Sequence, residues 1–140
     1  MTLYENGKDP DMSYTLDRSF KGEAFDTIVD RTRAALAAKG FGVLTEIDVK
    51  ATMKKKIDAE MDNYLILGAC NPGMANEAIK IEPRVGAMLP CNVIVRSTSK
   101  DEVMVSAIDP VASMQAIPND TLHSVAGKVR DMLRDVVAAI

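Results

Sequence analysis

Cys70 and Cys91 are the two cysteines of this 140-residue chain, and a thiol can serve as nucleophile, metal ligand or redox partner. Cys70 closes the apolar run Tyr64-Leu65-Ile66-Leu67-Gly68-Ala69-Cys70 and is followed by Asn71-Pro72, an N-cap residue and a proline suited to the first helical position. The unpaired amides and positive dipole end of a helix start favour thiolate over thiol. Cys70 is therefore the candidate catalytic residue. The bland alternative carries equal weight: cysteine is a small, commonly buried hydrophobe that suits the end of a core strand.

Cys91 follows Pro90 into the next β-rich run, so its distance from Cys70 depends on how the two strands run. Adjacent antiparallel strands would bring the thiols to one end of the sheet, near the roughly 5.5 Å Cα spacing of a disulfide. Parallel strands would hold them about 20 Å apart. The helical crossover between the two runs favours the parallel form.

A metal centre would need more ligands than two thiolates. Met74, Met88 and His123 complete a soft set suited to copper(I) or zinc, but the spacing matches no established metal motif and no site is assigned from it. Methionine usually fills irregular core gaps. An anionic ligand could be met by Lys54-Lys55-Lys56, which otherwise reads as a solvated helix face, or by Arg84 in a loop before Val85-Gly86, which pairing with Glu82 or Glu77 would explain as well. Cys70, Asn71, Arg84 and Cys91 form the candidate ligand-binding set.

Other chemistries find less support. A single histidine gives no Ser-His-Asp order, and no glycine-rich phosphate loop or paired carboxylate stands out. Net charge is -3 and the chain has no Trp, three Tyr and three Phe, so neither counterion release nor base stacking supports a nucleic-acid partner. No apolar run approaches the roughly 20 residues of a membrane helix, and the first twenty residues are polar. Two cysteines are no disulfide framework of the secreted kind. The expected setting is cytoplasmic, without a membrane partner.

The elements that must position these residues are legible from periodicity. Residues 1–12, rich in turn formers and charges, read as a flexible extension, and residues 13–140 as a single domain. Ser13 to Leu16 reads as a short strand with a polar break from Ser19 to Glu23. Phe25, Ile28, Val29, Thr32 and Leu36 recur at helical spacing over Glu23 to Lys39, stopped by Gly40. A strand from Phe41 to Ile47, a short helix capped by Asp48, the apolar strand ending at Cys70 and a helix from Pro72 to Ile81 follow. Two β-rich runs, Cys91 to Arg96 and Glu102 to Ala107, form a hairpin with a five-residue loop. Asp109-Pro110 opens a short helix, and Asp120 to Ala139 a long amphipathic one. The expected class is α+β: a single mixed sheet of about five strands with helices packed on it, closed by that C-terminal amphipathic helix.

Three segments in order, residues 67–72, 82–93 and 107–110, resemble domain-of-unknown-function family 302, the TT-type α+β domain, from about Ser13 to Ile140. The resemblance implies a compact α+β domain, often a dimer, whose usual pattern includes both cysteines. It implies no activity and no cofactor. Three readings follow: a small-ligand-binding module with its pocket at Cys70 and the next helix start; a thiol redox or sulfur-transfer protein using Cys70 with or without Cys91; or a non-catalytic homodimeric assembly protein.

Overall fold

The computed structural model describes residues 13–140, so the extension expected over residues 1–12 lies outside the described residues. The chain forms β1 (Thr15–Lys21), α1 (Phe25–Ala38), β2 (Gly42–Asp48), α2 (Val49–Ile57), β3 (Tyr64–Cys70), α3 (Pro72–Ile81), a 3-10 segment (Pro83–Met88), β4 (Cys91–Ser99), β5 (Glu102–Ile108), α4 (Pro110–Ser113) and α5 (Asp120–Ala139). The five strands lie in the order β1-β5-β4-β3-β2. Every neighbouring pair is antiparallel.

The α+β class and the C-terminal helix hold, but the sheet is antiparallel throughout rather than mixed. The reason lies between β3 and β4. Pro83 stops α3 and turns the chain into the 3-10 segment, whose Val85 is fully buried. The excursion thus leaves the end of β3 and returns to that same end. A helix followed by such a return gives an antiparallel neighbour, whereas a parallel one needs the chain carried to the far end of the sheet.

Two other boundaries differ for local reasons. Strand β1 runs on through the supposed polar break because Leu16, Arg18 and Phe20 alternate onto the core face, so that every second residue reads as polar. The hairpin turns tightly at Lys100–Asp101, with β4 extended to Ser99 past a register shift between Ser97 and Ser99. There the Thr98 hydroxyl donates to Glu102 Oε1 at 2.7 Å.

The core has two parts. On one face of the sheet Leu65, Leu67, Val93, Val95 and Val105 meet Ile28 and Leu36 of α1 and Leu133 and Val136 of α5. A second cluster joins Ala78 of α3, Val85, Met114 beyond α4, and Leu122, Val125 and Ala126 from the first half of α5. Helix α5 spans both, because its apolar residues recur every three or four positions along all 20 residues. Its last carbonyls, of Val137, Ala138 and Ile140, accept hydrogen bonds from Arg18 of β1, which satisfies groups the helix cannot. Among the described residues no helix is long and apolar enough to cross a membrane.

Candidate functional site

The return of the chain to one end of the sheet decides where the thiols lie. Cys91 stands opposite Ala69 in the β3–β4 ladder, and Cys70 is the next residue of β3, opposite Gly42 of β2. The separation expected for parallel strands is therefore corrected: the two thiols share one end of the sheet. Both are free, Cys70 half-buried and Cys91 buried.

Local sequence fixes the rim. Asn71 caps α3, its side-chain oxygen accepting the Met74 N–H at 3.2 Å, and Pro72 occupies the first turn. Helix α1 ends beside it in a Schellman arrangement: Gly40 N–H donates to Ala37 O and Phe41 N–H to Leu36 O. Gly40 has φ +80°, and a β-carbon there would stand 3.3 Å from Asn71 Nδ2. That position needs glycine twice over, for the left-handed turn and for the approach of the capping amide.

Between this rim and α5 lies a cavity of about 30 Å³ at the junction of the two core clusters. Ala69 and Cys91 form its sheet side, Met74 and Ala75 its α3 side, and Leu122 and Val125 its α5 side. Cys70, Cys91 and Asn71 are the polar-capable residues of a lining that is otherwise apolar. The space suits a body the size of one water molecule or ion. A broader surface recess, about 520 Å³, lies between β1 and the end of α5, but Arg18 there is already committed to the α5 carbonyls.

Burial pushes the Cys91 thiol up from 9.0 to about 11, with repulsion from Cys70 a smaller contribution. The folded state therefore favours the protonated thiol. Its contribution to stability is complete below the unfolded value of 9.0 and is lost as pH rises toward 11, a loss of about 2 to 3 kcal/mol at 1.36 kcal/mol per unit. Urea unfolding of wild type should show this decline between pH 8.5 and 11, and in Cys91→Ala it should be smaller by that amount. Equal slopes for the two proteins would contradict a buried, protonated Cys91.

The other candidates separate. Asn71 and Met74 line the cavity with the thiols. Arg84 does not: its side chain is 91% exposed and pairs with Glu82 at 3.2 Å, and that pairing holds the Glu82 carboxyl below and the Arg84 guanidinium above their usual values. Met88 is 40% exposed and outside the lining. His123 lies 3.3 Å from the Met114 carbonyl through Nε2 and is not among the residues that line the cavity. Lys54 pairs with Asp58 and Glu60. Sequence reasoning missed Met114 and the α5 wall; the Asp109-Pro110 cap signalled α4 but not that Met114 beyond it lines the same cavity as Cys91. Among the described residues no group of three or more His, Cys, Asp or Glu side chains is placed to hold a metal ion.

Fold and site together define a small α+β protein with an antiparallel sheet, helices against one face, and a thiol-bearing apolar cavity at one sheet end. The chain belongs to the family described as Domain of unknown function DUF302, whose family model matches residues 17–140. Its fold is that of the crystal structure of an uncharacterized conserved protein DUF302 from Bacillus stearothermophilus, with a TM-score of 0.83 at 20% identity over 90% of this chain and 97% of that one. No curated protein matches the chain.

Proposed function

We propose that this protein is a small-ligand-binding module whose site is the cavity between Cys70, Cys91 and the start of α3. The observation that carries this reading is the presence of two cysteines and a capping asparagine among the residues of one otherwise apolar cavity, which is the composition of a small-molecule site: apolar walls with a few polar groups. A ligand of a few atoms fits the cavity as it stands. A larger one enters if α3 swings outward, which would lift Met74, Ala78 and Ile81 from the second core cluster.

A thermal-unfolding screen of small neutral organic molecules, small organic anions and soft metal ions tests the reading. A ligand at a hundred times its Kd stabilises by about 2.7 kcal/mol, read as a rise in Tm of several degrees. Ala75→Leu, which fills the cavity from α3, should abolish the rise. A flat screen, or stabilisation that persists in Ala75→Leu, overturns it.

The adjacency of the cysteine-bearing strands favours a second reading, thiol redox exchange. The pair would lose two electrons and two protons to an incoming disulfide, which is reduced to two thiols. A cytoplasmic setting, in which such a pair is kept reduced, suits either reading. As for partners, a homodimer would cover the apolar surface that Leu44, Ile47, Met53 and Ile57 expose at the β2–α2 edge.

A further inference from the structure

Four sulfur-bearing residues, Cys70, Cys91, Met74 and Met114, are among those that line this cavity. We infer that this cavity binds a single copper(I) ion, held by the two thiolates with a methionine thioether as third ligand. The inference rests on the small-ligand reading and names the ligand.

Size comes first. A cavity of about 30 Å³ takes one ion, whereas pockets for organic ligands run to about 300 Å³ and more. Donor type narrows the metal. Thiolates and thioethers select copper(I), while zinc draws its ligands from thiolate, imidazole and carboxylate, and the lining contains no His, Asp or Glu. Calcium and magnesium need a shell of oxygens; the one side-chain oxygen here, on Asn71, is engaged in capping α3.

Charge is consistent with the same set. Two thiolates around a monovalent ion leave one net negative charge in apolar surroundings, which needs compensation. Helix α3, ten residues long, begins two positions after Cys70 and directs its positive dipole end to that side. Each ligating thiol releases its proton to solvent, no electron is transferred, and the metal remains monovalent. Cys70 is half-buried and Cys91 buried, so the ion approaches from the Cys70 side.

The test is an anaerobic titration of the full chain with copper(I) against the chromogenic chelator bicinchoninate. One ion should be retained per chain. Cys70→Ser and Cys91→Ser should each weaken retention by more than about tenfold; Met74→Leu combined with Met114→Leu should weaken it measurably with the thermal melt preserved. Met88→Leu, outside the lining, should change nothing. No retention against the chelator, or retention unchanged in the methionine pair and in whichever cysteine variants remain folded, overturns the copper assignment. If copper fails while organic compounds still stabilise wild type and not Ala75→Leu, the binding-module reading stands without it; if both fail, both fall.

Discussion

Replacing Leu122 with alanine is expected to cost about 2 to 5 kcal/mol of stability, a large share of the roughly 5 to 15 kcal/mol that holds a typical domain folded. Leu122 is fully buried and stands in the first turn of α5, where its N–H is accepted by the capping Asn119 side chain at 2.9 Å. The cap fixes the backbone, so the side chain's removal cannot be offset by sliding the helix. What remains is the lost transfer of the deleted atoms plus a void that merges with the cavity already present there, at about 24 cal/mol per Å³ left unfilled. The measurement is a urea midpoint at an unchanged m-value. A cost below about 1 kcal/mol would mean that α3 and α4 collapse inward to refill the space, and the cavity would then be too soft to hold ligands at fixed positions.

The parts of this fold legible in the sequence are those set by neighbours in the chain. Asn71-Pro72 and Asp109-Pro110 each start a helix where the cap and proline predict, with the aspartate or asparagine oxygen accepting the expected amide. Gly40 ends α1 because a left-handed residue is needed there. Tyr64 to Cys70 and Asp120 to Ala139 match their elements end to end. Strand direction was not legible, because it turns on residues 83–88, a segment too short for an apolar period and anchored by Val85 alone. The candidate site divides in the same way. Its α3 rim follows from the cap, but its far wall, Met114 with Leu122 and Val125, depends on how α5 splits its single apolar stripe between two clusters, and a stripe says that a face is buried without saying against what. Arg84, in turn, satisfies itself with the carboxylate two residues away, a local pairing that competes with any ligand.

Gly68→Ala is the other substitution with a large expected effect, about 3 kcal/mol of lost stability at the upper end of overpacking costs. A glycine inside a strand often marks a place where other atoms come close. Here a β-carbon would overlap Thr45 Oγ1 on β2 and would stand 2.8 Å from Cγ of Pro90, the residue leading into β4. Thr45 can rotate its hydroxyl away, but the proline ring is stiff and joined directly to Cys91. Relief therefore comes by shifting either β3, one residue before Ala69 and two before Cys70, or the start of β4. Both shifts act on the thiols, so ligand retention should fall together with the unfolding midpoint. Combining the change with Thr45→Ala separates the two obstacles: removing Oγ1 should return about 1 kcal/mol as a coupling energy, and the remainder belongs to Pro90. Full recovery in the double variant would assign the entire constraint to β2 and leave Cys91 uninvolved. A single-variant cost under about 0.5 kcal/mol, within the range of ordinary surface changes, would mean that β2 is free to move at this edge and that Gly68 does not tie the sheet to the site.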